Sequence, residues 1–367
     1  MSKLFEPFHI GTLKVRNRFV RSATQDWLAE SDGRISDAQV TLYDSLAAGG
    51  VGLIITAHSA ISLPVGRASQ PQNAISHDKF IDGYRRLADT VHRHDAALVL
   101  QIAHAGCQTN FEMTEGEMPL APCDLFDIKG AQIAREMTHD DIARLLDEYG
   151  TAAIRAKSSG ADGVQIHMAH GYLLAQFLSP WSNQRTDEYG GSREGRVRLL
   201  AEVVWRVRQS VGWQFPVLVK LNTTDGVETM PQLTIEDVLY AAQVIADHGA
   251  NAIETSGGTG RVNRLVMSKI GILKPELEGY FAQAAAAIKA KVSVPVILVG
   301  GNRSLAVMES ILQEGKTDFI SLSRPFVREP DLVNRMLAGQ PKATCISCNA
   351  CFNPKGLRCY YEGPGAQ

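Results

Sequence analysis

Two histidines and a tyrosine capable of acid–base chemistry lie within residues 165–172, which read QIHMAHGY. His167 and His170 are three positions apart, and Tyr172 follows them. A metal site needs a third ligand, which His104 offers, and usually an acid, whereas the residues between the two histidines are apolar. Imidazoles also donate hydrogen bonds to a developing oxyanion, and a phenol delivers a proton. We therefore favour oxyanion binding, with the metal site as the alternative.

Cysteines form the second group with chemical potential. Four of the six lie near the C-terminal end, where residues 345–359 read CISCNACFNPKGLRC. Cys-x2-Cys-x2-Cys is the spacing that wraps three thiolates round an iron–sulfur cubane, and a later cysteine supplies the fourth ligand. In a reducing cytosol such a group indicates metal or redox chemistry more than disulfides. A four-thiolate zinc site and free thiols are the alternatives.

A third constellation combines glycines with a serine–arginine pair. Gly300 and Gly301 occur in VGGNRS, and Ser323 and Arg324 occur in SLSRPF. Barrel enzymes often bind a phosphate beyond their last two strands, where backbone N–H groups meet the anion. The two motifs together predict a phosphorylated ligand, and the alternative is that the glycines only form a tight turn.

Short apolar segments rich in Val and Ile recur along the chain and are typical of strands buried on both faces. Segments with helical periodicity separate them. Eight alternations predict an α/β fold, a single-domain (β/α)8 TIM barrel, rather than an open doubly wound sheet, since no Gly-x-Gly-x-x-Gly follows the first strand. The predicted strands span 18–23, 51–57, 97–103, 163–167, 215–221, 251–256, 294–300 and 318–323, and the predicted helices include 79–94, 138–159, 193–211, 234–248 and 278–290.

The barrel fold determines where functional side chains must lie, because barrel enzymes carry them at the C-terminal ends of strands and in the loops that follow. His167, His170 and Tyr172 lie at the end of the predicted fourth strand. The same rule selects positions at the other strand ends, namely Ala23, Thr24, Gln25, Ala57, Gln101, His104, Lys220, Ser256, Gly300, Gly301, Asn302, Ser323 and Arg324.

Composition limits the class of protein. The chain has 367 residues, of which 45% are hydrophobic and 21% charged, and a formal net charge of -2. Its basic residues are dispersed, so we expect neither a nucleic-acid partner nor membrane binding. No signal peptide and no spanning segment is recognisable, and the expected location is cytoplasmic.

A long segment of the chain resembles a family signature. Residues 165–196, QIHMAHGYLLAQFLSPWSNQRTDEYGGSREGR, resemble that of the old yellow enzyme family, the NADH:flavin oxidoreductases. The opening LFEPFHIGTLKVRNRFVRSAT, the third strand end LQIAHAG and the late LSRPF resemble the same family. The resemblance spans residues 4–341. It implies a (β/α)8 barrel that holds FMN non-covalently at its C-terminal face and uses NADH or NADPH as a co-substrate.

The resemblance also implies roles for single residues. His167 and His170 would hydrogen-bond the substrate oxygen above the flavin, and Tyr172 would donate a proton. Lys220 would lie near the flavin N1 and O2. The other implied FMN-binding residues are Ala23, Thr24, Gln25, Ala57 and Gln101, with Gly300, Gly301, Asn302, Ser323 and Arg324 around the phosphate.

The cysteine motif resembles that of the dienoyl-CoA reductase and trimethylamine dehydrogenase group, in which it binds a [4Fe-4S] cluster. This implies four metal ligands, with zinc as the lesser option: Cys345, Cys348, Cys351 and Cys359. We accordingly expect residues 1–341 to form the FMN-binding barrel and residues 342–367 to form a short cysteine-rich extension.

The expected function is that of an FMN-dependent ene-reductase, which moves hydride from NAD(P)H through the flavin to the C=C bond of an α,β-unsaturated carbonyl compound. The alternative is a flavin and iron–sulfur dehydrogenase that oxidises an amine or similar small molecule and passes electrons to a partner protein. A metal-dependent hydrolase or lyase built on His167, His170 and His104 is the third hypothesis. The expected partners are a small-molecule substrate, a second copy of the chain in a homo-oligomer and an electron-transfer protein.

Overall fold

Eight parallel strands close into a barrel in the computed structural model, which describes residues 2–229, 231–260 and 262–363. Each strand pairs with the next along the chain, and the last pairs with the first, so the ring is complete. The predicted fold is confirmed. The strands are β1 (Phe19–Arg21), β2 (Leu53–Ile55), β3 (Ala97–Ala103), β4 (Gly163–Met168), β5 (Val217–Asn222), β6 (Ala252–Ser256), β7 (Val296–Leu298) and β8 (Phe319–Leu322).

A helix follows each strand and covers the outside of the barrel. Three of these helices begin at a capping box, in which a Ser or Thr side chain and the third helical residue exchange hydrogen bonds. The helices are α1 (Asp37–Ala48), α2 (Ile81–His92), α3 (His139–Ser158), α4 (Arg193–Val211), α5 (Ile235–Asp247), α6 (Ala282–Lys291), α7 (Leu305–Gln313) and α8 (Leu332–Leu337).

Several short strands and helices lie outside the barrel strands and the eight covering helices. An antiparallel hairpin precedes the barrel, and its Ile10 and Val15 pack with the apolar core inside the ring. The hairpin strands are Phe8–Ile10 and Leu13–Val15; the other short strands are Ser59–Ala60, Leu120–Ala121, Leu125–Phe126 and Gln132–Glu136. The short helices are Lys3–Phe5, Asp78–Phe80, Leu173–Leu178, Arg264–Met267, Pro275–Leu277 and Arg324–Arg328.

One predicted helix begins later than its sequence pattern indicates. The segment 278–290 was expected to be helical throughout, but α6 begins only at Ala282. The reason is that the Glu278 carboxylate accepts hydrogen bonds from the backbone N–H groups of Arg303 and Ser304 and from the Ser304 hydroxyl. Gly279 then takes a positive φ of 60°. A tertiary contact to the start of α7 therefore overrides the helical pattern.

Beyond α8 the described chain forms an extension with no regular helix or strand over residues 343–363. It returns across the C-terminal face of the barrel, where the Leu357 N–H donates to the Asp26 carbonyl and the Ala343 N–H donates to the Arg303 carbonyl. This is the face at which functional side chains were expected. No helix in the described part of the chain is long and apolar enough to cross a membrane.

Candidate functional site

A cavity of about 410 Å³ opens at the C-terminal ends of the barrel strands. Its volume lies in the range of small-molecule and cofactor sites. The side chains that line it come from strand ends all round the ring and from the extension. They include nearly all of the predicted residues: Ala23, Thr24, Gln25, Gln101, His167, His170, Tyr172, Lys220, Ser256, Gly300, Gly301, Asn302, Ser323 and Arg324.

Two predicted strand-end residues do not line this cavity. Ala57 is buried, and its N–H donates to Tyr43 Oη at 2.9 Å. His104 is also buried, and its Nδ1 accepts from the Gly106 N–H at 3.0 Å. His104 therefore does not join the histidine pair as a third metal ligand. In the described residues, three His, Cys, Asp or Glu ligand atoms come within 4.8 Å of one another only at the surface group His139, Asp187 and Glu188.

His167 and His170 lie side by side, with ring centroids 5.0 Å apart. The Ala169 N–H donates to His167 Nδ1 at 3.2 Å, which leaves the proton of a neutral ring on Nε2. His170 Nε2 is 2.6 Å from Ser256 Oγ. Burial holds the pKa of both imidazoles well below the usual value, and the proximity of His170 lowers that of His167 further. Both rings are thus neutral hydrogen-bond donors at pH 7.

The backbone of His170 is in the left-handed region, with φ of 64°. Three contacts hold this uncommon conformation for a residue with a side chain. Asn222 Oδ1 accepts from the His170 N–H, while Gln108 Nε2 and the Gly260 N–H donate to the His170 carbonyl. The loop after β4 is therefore fixed from three sides, and it presents the histidine pair to the cavity in a defined orientation.

Tyr172 lies next to this pair, with its ring 4.8 Å from that of His167. The side chain is half-buried, and desolvation raises the pKa of its phenol to about 12 and keeps the group protonated. The hydroxyl lies 3.3 Å from Nε2 of His58. His58 was missed by the sequence reasoning, although it directly follows Ala57 at the end of the second predicted strand. The rule for strand ends would have found it had it included one more residue.

The cavity floor is a polar network inside the barrel. Lys220 Nζ is 3.0 Å from Glu254 Oε2 and donates to Ser22 Oγ at 2.8 Å. Glu254 also accepts from Ser22, Ser321 and Gln165. Burial alone would raise the pKa of the Glu254 carboxyl, but the Lys220 charge and these donors outweigh burial and lower it. The floor thus contains a compensated ion pair.

Strand register assembles this floor. Lys220 on β5 is the register partner of His167 on β4 and of Glu254 on β6. Glu254 was not predicted, but a signal for it exists. Polar residues at alternate positions of otherwise apolar strands, Gln165 and His167 or Glu254 and Ser256, all face the barrel interior. A carboxylate in such a position indicates a buried cation nearby.

The predicted phosphate corner combines the ends of β7 and β8. Gly300 and Gly301 have φ of 133° and 75°, and a Cβ on Gly301 would lie only 2.9 Å from the Tyr280 ring. Both positions therefore require glycine. Ser323 Oγ is 2.8 Å from Thr24 Oγ1, which joins the end of β8 to the end of β1. Arg324 lines the same corner and donates to Asn349 Oδ1 at 2.8 Å.

The residues of the cavity fit an elongated, anionic, hydrogen-bonding ligand such as FMN. Three buried polar atoms of the lining residues, Gln25 Oε1, Asn302 Oδ1 and Arg303 Nε, have no hydrogen-bond partner among the described residues. Buried polar atoms of this kind need a partner, which a ligand supplies. Lys220 adds a cation to the floor, and the glycine corner allows a phosphate to approach the backbone.

The four C-terminal cysteines line one smaller cavity of about 20 Å³, together with Arg324, Arg328 and Tyr361. Cys351 borders both cavities. Burial raises the pKa of the Cys345 thiol and, with help from Cys345, that of Cys351 to about 11. No three of the four sulfur atoms lie within 4.8 Å of one another. Tetrahedral zinc with Zn–S bonds of about 2.3 Å would bring them to about 3.8 Å.

Comparison with known proteins relates this site to a family. Residues 3–343 match the NADH:flavin oxidoreductase / NADH oxidase family. An NADH oxidase of Thermoanaerobacter brockii is 34% identical over 351 residues, which cover 94% of this chain and 52% of the relative. An NADPH dehydrogenase of Bacillus subtilis is 34% identical over 329 residues, covering 89% of this chain and 92% of the relative. The chain spans about half the length of the first of these relatives.

Solved structures give the same picture. A 2-naphthoyl-CoA reductase is similar with a TM-score of 0.86 and 27% identity, covering 95% of this chain and 54% of that one. A histamine dehydrogenase from Rhizobium sp. 4-9 is similar with a TM-score of 0.81 and 29% identity, covering 92% of this chain and 48% of that one. The neighbours thus include enzymes named for reduction and for amine dehydrogenation.

Proposed function

The chain belongs to the NADH:flavin oxidoreductase / NADH oxidase family, and we propose that it is an FMN-dependent enzyme that moves hydride from NADH or NADPH to the C=C bond of an α,β-unsaturated carbonyl compound. The observation that carries this proposal is the cluster of two neutral imidazoles and one protonated phenol at the cavity wall. Such a cluster can polarise a carbonyl oxygen and protonate the carbon chain beside it.

The proposed FMN site uses the floor and the glycine corner of the cavity. Lys220 would lie near the electron-rich pyrimidine edge of the flavin, while Gln25 and Gln101 would hydrogen-bond the ring. Gly300, Gly301, Asn302, Ser323 and Arg324 would surround the phosphate, and Ala23 and Thr24 border the same cavity. Ala57 lies behind this wall. Bound there, FMN supplies two-electron hydride transfer between nicotinamide and substrate.

The protein's own groups act on the substrate oxygen and the α-carbon. His167 donates from Nε2, because its Nδ1 already accepts from the backbone. His170 would donate from Nδ1, because its Nε2 is hydrogen-bonded to Ser256 Oγ. Two donors to one carbonyl oxygen stabilise the negative charge that develops there and make the β-carbon electrophilic. Tyr172 then transfers its phenolic proton to the α-carbon. Burial keeps both rings neutral, so they act as hydrogen-bond donors and Tyr172 is the group that supplies the proton.

We also propose that the four cysteines bind a [4Fe-4S] cluster. We propose as well that the expected cysteine-rich extension over residues 342–367, of which 364–367 lie outside the described residues, is a unit separate from the barrel. All four side chains border one cavity, and their sulfur atoms are spread more widely than a closed zinc site requires. Cys351 lines the larger cavity as well, so the proposed cluster and the proposed flavin would be neighbours. Iron and sulfide analysis tests this proposal. A Cys348→Ser variant should lose iron and keep FMN, whereas zinc in place of iron would favour the alternative.

The second candidate function is dehydrogenation of an amine, with electrons leaving through the cysteines to a partner protein. Adjacency of the cysteine cavity to the flavin cavity favours it, as does the similarity to a solved histamine dehydrogenase. The electron donor distinguishes the two functions. Anaerobic addition of NADH or NADPH should bleach the flavin absorbance, and 2-cyclohexen-1-one should restore it. An amine that bleaches the flavin when neither nicotinamide does would establish the second function instead.

A double variant tests the assigned roles within the site. His167→Ala combined with His170→Ala should keep FMN bound and lose the charge-transfer absorbance that phenols produce over the flavin. The rate of enone reduction should fall by about 10²- to 10³-fold or more, since both oxyanion donors are gone. If FMN is lost as well, the two histidines support the fold rather than the substrate.

A further inference from the structure

His58 is a buried titratable group at the cavity wall that the proposed function does not use. It follows β2, is 7% exposed and lines the cavity. Its backbone is held by Gln72, whose Nε2 donates to the His58 carbonyl at 3.3 Å. The imidazole ring lies 5.2 Å from the ring of Tyr172, tilted by 37°. His58 and Tyr172 are 114 positions apart in the sequence, and their side chains are joined by one hydrogen bond.

We propose that His58 is a positioning residue for Tyr172, which hydrogen-bonds the phenol oxygen through Nε2 and returns a proton to it in each turnover. The distance of 3.3 Å between His58 Nε2 and Tyr172 Oη is that of a long hydrogen bond. The proton step rests on the proposed reduction of a C=C bond, whereas the hydrogen bond itself does not.

The protonation state of His58 suits a relay. Burial lowers its pKa to about 4, so the ring is neutral at pH 7 and carries one N–H and one lone pair. A neutral ring can donate to a developing phenolate from one nitrogen and accept a proton at the other. Tyr172 needs such a donor, because burial raises its own pKa to about 12 and makes an isolated phenolate costly.

The proton balance is as follows. Hydride arrives at the β-carbon, the Tyr172 Oη–H bond breaks, and the new α-carbon–hydrogen bond takes up its proton. The phenolate then takes the proton of His58 Nε2, and water gives a proton to His58 Nδ1. Exchange with water between turnovers restores the starting tautomer. No redox equivalent is consumed beyond the hydride, and the second hydrogen of the product comes from water.

Coupling between the two residues is measured by a double-mutant cycle on the FMN-loaded enzyme. His58→Leu should slow reoxidation of the reduced enzyme by 2-cyclohexen-1-one by about 10- to 100-fold. It should leave flavin reduction by NAD(P)H unchanged and raise the solvent deuterium isotope effect on reoxidation. In a Tyr172→Phe background the same change should have almost no further effect, because the two residues act as one unit. Equal losses in both backgrounds would overturn the proposal.

Two further variants separate positioning from general damage. His58→Gln keeps a side-chain donor but cannot relay a proton, so its rate should lie between those of the wild type and His58→Leu. His104→Gln is the matched control. His104 also follows a barrel strand, is buried and has its pKa lowered to about 4, but it does not line the cavity. Its replacement should leave reoxidation unchanged. A loss as large as that of His58→Leu would indicate a structural effect.

The hydrogen bond is also testable when no enone serves as substrate. In that case the proposed function fails, but ¹⁵N-histidine NMR of the same holoenzyme still reports on His58. The His58 Nε2 resonance should shift in Tyr172→Phe, since its partner is gone, and the His104 resonances should stay in place. An unchanged His58 signal would show that the two side chains do not interact, whatever the substrate is.

Discussion

The floor of the barrel cavity and the cysteine-rich extension both hold buried polar groups, but they hold them by different means. Lys220 and Glu254 stand on neighbouring strands in fixed register, and each satisfies the charge of the other. The cysteines stand on a segment without regular structure, which side-chain hydrogen bonds tie to the barrel. The floor is therefore complete without a ligand, whereas the extension gathers four thiols round a cavity.

The difference indicates that the barrel floor contributes to the stability of the whole fold, whereas the extension can open locally. A charge pair inside a barrel cannot be separated without opening strands, so its disruption should affect the whole fold. The extension can detach locally, because few backbone hydrogen bonds cross from it to the barrel. The predictions below test this contrast, beginning with the change of largest expected effect.

Removal of the Glu254 carboxylate should be the most damaging single change. Glu254→Ala leaves the Lys220 ammonium buried without its counter-charge, and an uncompensated buried charge costs about 3–5 kcal/mol. The midpoint of urea or thermal unfolding should fall accordingly. Asp331→Ala is the control, since it breaks the half-exposed pair with Arg335 and should cost less than about 1 kcal/mol. Equal effects of the two changes would mean that the floor pair is solvated.

Acid should destabilise the barrel floor first, whereas alkali should destabilise the cysteine-rich extension first. The folded state lowers the pKa of Glu254, through Lys220 and three donors that outweigh burial, so its stabilisation is present above the unfolded value of about 4.3 and is lost as the pH falls below it. Protonation keeps several hydrogen bonds, so the effect should be smaller than that of Glu254→Ala. The check is the pH dependence of global unfolding in the wild type and in Glu254→Gln, which should lack this contribution.

High pH should destabilise the extension when the protein holds no metal. Burial raises the pKa of the Cys345 and Cys351 thiols, the latter to about 11, so folding of the extension is favoured below the unfolded thiol pKa of about 8.5 and weakened as the pH rises above it. Limited proteolysis between pH 8 and 10 should cleave the extension while the barrel stays intact. Simultaneous loss of both would contradict the contrast.

Detachment of the extension should follow from the loss of one amide. Asn349 Oδ1 accepts from Arg324 Nη1 and from Ser268 Oγ, and its Nδ2 donates to the Ser268 carbonyl. Asn349→Ala should therefore favour local opening of the extension by about 1–3 kcal/mol, because three hydrogen bonds between half-buried groups are lost, each worth about 0.5–1.5 kcal/mol. Hydrogen exchange should accelerate across residues 343–363 and remain slow in β4 and β5. Asn353→Ala, at a neighbouring position of the same extension, is the control.

The same contrast explains how far the sequence could predict the molecule. Apolar segments and helical periodicity predicted all eight strands, because a buried parallel strand has a distinctive composition. Most of the residues selected by the rule that barrel sites lie at strand ends do line the cavity, although they make up less than half of its lining. The late start of α6 was not predicted, since it depends on Glu278 reaching Arg303 and Ser304 across the fold.

Contacts between distant segments account for the other omissions. The role of Glu254 can be inferred only once the strand register places it beside Lys220. The role of His58 can be inferred only once the loop after β2 is known to contact Tyr172. The cysteine motif predicted a metal site, which stays a prediction, but not that Cys351 and the neighbouring Phe352 line the large cavity. These contacts depend on how an irregular segment packs, and such a segment has no periodic pattern of apolar residues from which its position could be predicted.

The smallest expected effect concerns that wall. Phe352 meets the ring of Trp27 edge to face, with centroids 4.9 Å apart, and Arg264 lies 5.7 Å above the Phe352 ring. Phe352→Leu keeps an apolar side chain but removes both ring interactions, worth about 0.5–1.5 kcal/mol for the aromatic pair. Opening of the extension should rise by up to about tenfold, less than in Asn349→Ala, as measured by hydrogen exchange. Phe126→Leu is the matched control, because Phe126 is 60% exposed and Phe352 59%. If the two changes act equally, exposure rather than the contact with Trp27 determines the loss, and the extension is held by its hydrogen bonds alone.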